Sequence, residues 1–282
     1  MKKAFKITFW IMGSLVTFAI LVIIAISAHI FITGWSPKQN INKAVGIKIG
    51  LNTISSVDEI KRTLIPLSYD LIIKKYPIFS NQRINNWYVL DPTSYNDAVS
   101  KILAEIQKAK GNSNPTPIDV YLQDAITFCP QTIYLQYFGN QRSVTDYLIH
   151  SIHESFHGLS CNSSSKLPLV WEEGITDYLA ISTLENYVGT SVDTYRAFPD
   201  EVDIIKDILV LIPEKDLIDI YINKDESRLM ASINKKFGNG TYEKIMPDMN
   251  IIFTKASYSD GFTSNPEVDE AFSRVKKELG SN

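Results

Sequence analysis

The segment VTDYLIHSIHESFHG, residues 144–158, decides the fold that this chain is expected to adopt. It contains neither Pro nor Gly before Gly158, a natural helix terminator, so it predicts a helix. His153 and His157 are four residues apart on that helix, where both imidazoles can reach one metal ion. Glu154 lies beside them and can take a proton from a water that the metal activates. The segment therefore predicts a zinc-binding helix with Glu154 as general base.

A second segment, WEEGITDYLA at residues 171–180, offers the missing ligand. Catalytic zinc usually has three protein ligands and an open position for water. Glu173 and Asp177 share one face of the helix predicted here, which suits a third ligand and a carboxylate that holds the free N–H of a ligating histidine. Glu172 points about 100° away from Glu173 and is the second choice as ligand.

HESFH and WEEGITDYLA together resemble the gluzincin metallopeptidases, which include thermolysin-like enzymes, M1 aminopeptidases and bacterial collagenases. The resemblance implies that His153, His157 and Glu173 bind one zinc ion, that Glu154 is the general base, and that Asp177 orients a ligating histidine. It covers about residues 145–180 and assigns no subfamily. The spacing from His157 to Glu173 is shorter than in the commonest members, and Glu-Glu stands where many have Asn-Glu.

A further donor is expected for the negative charge of the tetrahedral intermediate, and in such enzymes it is usually a Tyr or a His. No histidine follows His157, so a tyrosine is expected. We choose Tyr195, which precedes a helix predicted to begin at Pro199. His150, one turn before His153, is either an extra ligand or, as we favour because three ligands are already found, a surface residue or a neighbour of a ligand. The other candidate donors are Tyr178, Tyr187, Tyr221, which is assigned to the core, and Tyr242.

The N-terminus predicts export. Residues 7–32 contain no Lys, Arg, Asp or Glu and exceed the roughly 20 residues that a helix needs to cross a bilayer, so they predict a transmembrane anchor. Lysines precede the span at positions 2, 3 and 6, which favours a cytoplasmic N-terminus and an extracellular catalytic domain at the cell membrane. The alternative is a cleaved secretory signal ending near residues 25–27, with a secreted product.

The predicted fold class is α+β, with a small mixed β-sheet, then an active-site helix and a mainly helical C-terminal part. Strands are predicted at residues 118–122 and 132–138, which are rich in β-branched and aromatic side chains. The strand at 132–138 is either a substrate-binding edge strand, as the resemblance implies, or an ordinary core strand. The predicted divisions are a cytoplasmic tail (1–6), the anchor (7–32), a stalk (33–53), a helical N-terminal part (54–115) and the zinc peptidase part (116–282).

Composition argues against one class of partner, and the two cysteines leave open whether the chain contains a disulfide. With 45% hydrophobic and 21% charged residues the chain is in the globular range, and its net charge of −3 with no basic patch argues against nucleic acid as a partner. Export would allow a disulfide between Cys129 and Cys161, but two free buried thiols remain equally compatible with the sequence.

The predicted function is that of a membrane-anchored extracellular zinc metallopeptidase acting on a peptide or protein substrate. In such sites zinc lowers the pKa of its water to about 7, and Glu154 would accept the proton and pass it to the leaving amine. The alternatives are an inactive zinc-containing domain that binds a partner at the cell surface, and a tethered structural protein with a fortuitous motif.

Overall fold

The computed structural model describes most of the chain after the predicted anchor. The residues described are 37–109, 124–129, 131–161, 166–192, 199–209, 212–256 and 265–280. The predicted anchor at 7–32, the predicted strand at 118–122 and Tyr195 lie outside them. Within the described ranges, none of the helices has the length and apolar character that crossing a membrane requires.

The described part is mostly helical, with ten α-helices, two single-turn 3₁₀-helices (Pro77–Phe79 and Gly139–Gln141) and one small sheet. The second helix, α2, is continuous through three pieces, Val57–Glu59, a π-helical turn at Ile60–Leu64, and Ile65–Lys75. The other helices are α1 (Pro37–Ile49), α3 (Pro92–Ala109), α4 (Val144–Leu159), α5 (Leu169–Val188), α6 (Pro199–Leu209), α7 (Glu214–Asn223), α8 (Glu226–Phe237), α9 (Thr241–Ala256) and α10 (Pro266–Glu278).

Local sequence signals explain where several of these helices begin. The Ser56 side chain caps α2 by accepting the Glu59 N–H, and the Glu59 carboxylate accepts the N–H of Ser55, the residue before the cap, at 2.7 Å. Pro66 has no N–H to donate to the helix. The hydrogen-bond pattern just before it changes from α-helical to π-helical, and the helix continues through the proline. At α3, the carboxylate of Asp91 accepts the N–H groups of two residues of the first turn.

The stretch expected to be a polar stalk, residues 33–53, instead contains α1. Ile41 and Val45, one helical turn apart, are buried in the main core, where α1 contacts α4 and α5. The prediction overlooked this pair because the Gly, Pro and polar residues around it resemble a loop. The stretch therefore packs on the body of the protein.

The sheet has three strands, β1 (Asn86–Leu90), β2 (Ala125–Phe128) and β3 (Thr132–Gln136), in the order β1-β3-β2. β1 pairs in parallel with β3, and β2 pairs antiparallel with β3. β1 was not predicted, and it comes from the segment expected to be helical. The segments 54–115 and 116–282 therefore share one sheet.

β3, predicted over residues 132–138, is the central strand of this sheet. Of the two interpretations of that segment, an edge strand that binds substrate is wrong, and a core strand is confirmed: Ile133 and Leu135 are almost fully buried. Within the described residues β2 is an edge strand. β2 also contacts α4, so the edge next to the histidine motif is β2.

The sheet separates α3 from α4. Tyr95 and Val99 of α3 pack in a small cluster with side chains from one face of the sheet, including Ile126 and Phe128 of β2. Side chains on the other face, among them Leu135, join the main core with α4 and α5. Because side chains alternate along a strand, Thr127 points to the α4 face.

A disulfide joins Cys129 and Cys161, which settles the alternative left open by the sequence. Cys129 directly follows β2, and Cys161 lies two residues after the end of α4. The bond closes a loop with a sequence separation of 32 residues, for which the chain-entropy model gives about 3–4 kcal/mol of stabilisation. It ties the edge strand to the C-terminal end of the motif helix.

Candidate metal centre

The helix that carries the histidines is held firmly at its N-terminus and along its apolar face. Ser143 caps α4 by accepting the Asp146 N–H at 3.1 Å, while the Asp146 carboxylate accepts the Ser143 N–H at 3.0 Å. Ile152 and Phe156 are fully buried in the main core. The rotation of α4 about its own axis is therefore fixed by packing.

Three ligand atoms from α4 and α5 meet at one point. His153 Nε2 lies 3.2 Å from Glu173 Oε2, His157 Nε2 lies 3.3 Å from the same oxygen, and the two Nε2 atoms are 3.2 Å apart. Among the described residues these three side chains form the one cluster of His, Cys, Asp or Glu that could hold a metal ion. The structure thus brings together the trio expected from the sequence.

The size of this triangle fits zinc. Zinc bound to imidazole nitrogen and carboxylate oxygen at about 2.0–2.1 Å in a tetrahedron has neighbouring ligand atoms about 3.3–3.4 Å apart. The observed separations of 3.2–3.3 Å are close to that spacing. A nitrogen–nitrogen–carboxylate set with a fourth side open is also the donor chemistry of catalytic zinc.

The doublet Glu172-Glu173 resolves into two different positions. Glu173 contributes its Oε2 to the triangle, whereas Glu172 Oε1 lies 3.5 Å from His157 Nδ1 and accepts a hydrogen bond from Lys224 Nζ at 2.8 Å. Glu172, the second choice as ligand, therefore faces the outer ring nitrogen of His157.

The other histidine has an equivalent neighbour. Asp177 Oδ1 lies 3.4 Å from His153 Nδ1, and the Asp177 side chain is 3% exposed. Because both Nδ1 atoms face carboxylates, both Nε2 atoms are directed at the centre of the triangle. The position expected for Asp177 from helix phase is thus the one that the structure has.

When no metal ion is bound, the neighbouring carboxylates raise the pKa of both histidines in the triangle. Burial by itself lowers the pKa of His153, but hydrogen bonds to Asp177 and Glu173 outweigh it and hold that pKa well above its ordinary value. For His157, burial is likewise outweighed by Glu173 and Glu172, and its pKa rises to about 9. Burial would raise the pKa of Glu173, yet the two histidines hold it far below its ordinary value.

These shifts predict how zinc binding depends on pH. A raised folded-state pKa means that the His157 proton stabilises the metal-free fold fully below about pH 6.5, and that this stabilisation is lost as pH rises through about 9. Zinc requires neutral imidazoles and must displace these protons. We expect zinc affinity to rise from pH 6 to pH 9, by about tenfold per pH unit for each proton displaced. Competition with a zinc indicator at several pH values measures this, and a pH-independent affinity would contradict it.

Glu154 is held next to the triangle by the edge strand. Its side chain is buried, with the residue 7% exposed, and its Oε2 accepts a hydrogen bond from Thr127 Oγ1 of β2 at 2.6 Å. The same hydroxyl lies 3.1 Å from the Glu154 carbonyl oxygen. Glu154 is thus a fixed carboxylate beside the two histidines rather than a surface side chain.

Gly174 lets a further helix approach the ligand helix closely. A Cβ atom at this position would lie 2.9 Å from the Cβ of Glu201 on α6, too close for two carbon atoms. The glycine that follows the proposed ligand in the sequence is therefore explained by packing of α6 against α5. This contact supports the turn of α5 that carries Glu173.

The tyrosines considered as donors are partly accounted for. Tyr195, the chosen one, lies outside the described residues and stays a prediction. Tyr221 is fully buried with its hydroxyl 2.8 Å from Thr176 Oγ1, so its assignment to the core is confirmed. The Tyr242 hydroxyl donates to Glu226 at 2.9 Å. Burial raises the pKa of Tyr178 to about 12, so this hydroxyl stays protonated.

His150 lies one turn before His153 but outside the triangle. Its Nδ1 is 2.6 Å from the Asp146 carbonyl oxygen, and its Nε2 is 3.5 Å from Asp124 Oδ2. Asp124 also pairs with Arg142 at 2.7 Å. The interpretation of His150 as a residue other than a ligand agrees with this placement.

Sequence reasoning missed two residues of the site, Thr127 and Lys224. The signal for Thr127 was weak: it is a single polar residue between Ile126 and Phe128 in a segment that was not predicted as a strand. Lys224 gave no signal, since it lies 52 residues from its partner Glu172.

Comparison with known proteins gives no relative on which the site could be assigned. No protein-family model matches the chain, no curated protein matches it, and no solved structure matches it. The function is therefore argued from the geometry of the site.

Proposed function

We propose that this chain is a zinc metallopeptidase that hydrolyses peptide bonds, with one zinc ion held by His153, His157 and Glu173. The observation that carries the proposal is the triangle of ligand atoms 3.2–3.3 Å apart. Beside it is the buried residue Glu154, which directly follows His153 in the sequence. A resemblance to gluzincins at HESFH and WEEGITDYLA supports the same assignment.

The roles of the residues follow from their positions. Zinc, when bound, supplies Lewis acidity that makes a water acidic near neutral pH and polarises a carbonyl group. Glu154 takes the proton of the attacking water and later delivers it to the leaving amine. The hydrogen bond from Thr127 to Oε2 fixes the orientation of the Glu154 carboxylate. Tyr195 is proposed to donate a hydrogen bond to the developing oxyanion.

The edge strand supports a peptide as substrate. β2 has β3 on one side and no strand on the other within the described residues, and its Thr127 contacts Glu154. An extended peptide could add to that edge through main-chain hydrogen bonds, which demand little of its side chains. β2 therefore takes the role that the sequence had suggested for residues 132–138.

The proposed location is the outer face of the cell membrane. It rests on residues 7–32, whose length and lack of charge suit a transmembrane anchor, and on the lysines before them. If the segment is a cleaved signal instead, the product is secreted. In both cases the disulfide between Cys129 and Cys161 would be stable in the oxidising compartment.

Peptide-library cleavage by the purified full chain, with mass-spectrometric readout, tests the proposal. We expect cleavage that a chelator abolishes and added zinc restores, together with one zinc per chain by metal analysis. Bound zinc without chelator-sensitive cleavage of any peptide would favour an inactive zinc-containing binding domain. Absence of stoichiometric zinc would leave a structural protein with a fortuitous motif.

A further inference from the structure

Lys224 has a backbone conformation that a lysine rarely adopts. It lies at the C-terminal end of α7 in the left-handed region, with φ of 51° and ψ of 41°. Gly and Asn are the residues that usually adopt this conformation at a helix end, because a Cβ is strained there. Apart from Gln131, Lys224 is the one non-glycine residue with positive φ in the described ranges. Such strain persists only where the surrounding structure holds the residue in place.

The Lys224 side chain is also buried, which is unusual for a lysine. The residue is 6% exposed, its Nζ donates to Glu172 Oε1 at 2.8 Å, and the same Nζ lies 4.0 Å from the centre of the Tyr221 ring. Burial of an ammonium group is unfavourable unless it is paired, and here the carboxylate and the ring supply the pairing. The left-handed backbone thus places the ammonium group of Lys224 against Glu172 of α5.

Glu172 connects this lysine to the metal centre. Its Oε1 accepts from Lys224 and lies 3.5 Å from His157 Nδ1, so a single oxygen faces both groups. The next residue, Glu173, contributes the ligand oxygen. The adjacent carboxylates of Glu172 and Glu173 would compete for a zinc ion. The hydrogen bond from Lys224 holds the Glu172 carboxylate away from the triangle.

We propose that Lys224 is a positioning residue that fixes Glu172 against His157 Nδ1, and thereby selects Glu173 as the zinc ligand. The inference rests on the proposed zinc site. It assigns the doublet: Glu173 is the ligand, and Glu172 orients the histidine. It also gives α7, which contributes no ligand, a part in building the site, and it accounts for a lysine at a position where glycine would be less strained.

Lys224→Gly in the full chain separates the side chain from the backbone. Glycine relieves the backbone strain but also removes the hydrogen bond to Glu172, so a cooperative thermal melt first establishes that the metal-free variant is folded. Loss of the Nζ group should weaken zinc affinity by about tenfold, the lower end of what loss of a group behind a ligand usually causes. Lys224→Arg, which retains a charged donor, should recover part of that loss. Zinc affinity is measured by competition with a zinc indicator.

A double-mutant cycle with Glu172→Ala tests whether Lys224 acts through Glu172. Glu172→Ala alone should weaken zinc affinity by about 10–100-fold, and adding Lys224→Gly should then have little further effect. Gln131→Gly is the matched control, since it relieves the other non-glycine positive φ and should leave zinc affinity unchanged. An unchanged affinity in folded Lys224→Gly, or an equal loss in both backgrounds, would overturn the proposal. If wild type itself binds no zinc, the proposed zinc site is wrong, whereas a wild type that binds zinc with an unchanged Lys224→Gly refutes only the role of Lys224.

Discussion

Glu154→Gln is expected to retain zinc and to lose peptide cleavage by about 10²–10⁴-fold, the contribution of a positioned general base. Glutamine has the shape of glutamate and can still accept the hydrogen bond from Thr127 Oγ1, which now lies 2.6 Å from Glu154 Oε2. It cannot accept and return a proton. The carboxylate is not one of the triangle atoms, so zinc affinity should stay close to wild type. Turnover and zinc stoichiometry are measured on the same preparation.

Glu105→Gln is the control for this substitution, because Glu105 is exposed on α3 and the charge change is identical. Its turnover should equal that of wild type. If Glu154→Gln cleaves peptides at a near wild-type rate with zinc bound, Glu154 is not the base and the mechanism is wrong. If Glu154→Gln loses zinc as well, its role is structural instead.

The helices of this fold could be predicted where local signals mark their ends. Ser143 with Asp146 at the start of α4, and Asp91 before α3, are capping patterns that depend on residues three or fewer positions apart. α1 was missed because its buried face consists of few residues, Ile41 and Val45, in a polar setting. β1 was missed because its pairing partner is distant in sequence: Asn86 pairs with Thr132 of β3, 46 residues later in the chain.

The candidate site divides in the same way. His153 and His157 were predicted from helical spacing, and Glu173 and Asp177 from helix phase together with the resemblance; the structure brings the four together at 3.2–3.4 Å. Helix phase did not predict that Glu172 would lie against His157, because that position depends on Lys224 from another helix. Contacts between distant segments leave no periodic trace in the sequence, so such groups were found only in three dimensions.

Removal of one triangle residue is expected to have the second large effect. His153→Ala takes away one of three ligands and should weaken zinc affinity on the order of a thousandfold, since the binding free energy of a zinc site is shared among few ligands. Peptide cleavage should be lost with the metal. The variant should also lose the stabilisation that zinc gives wild type, which grows with the ratio of free zinc to the dissociation constant.

His150→Ala is the matched control, because it removes an imidazole one turn away on the same helix. Its ring faces Asp124 and the Asp146 carbonyl rather than the triangle, so zinc affinity and cleavage should remain near wild type. Zinc content by metal analysis, and melting temperature with and without zinc, are compared for the two variants. Equal zinc content in His153→Ala and His150→Ala would mean that the metal binds elsewhere. A loss confined to His153→Ala supports the triangle as the zinc site, because the helix and the residue type are the same in the two variants.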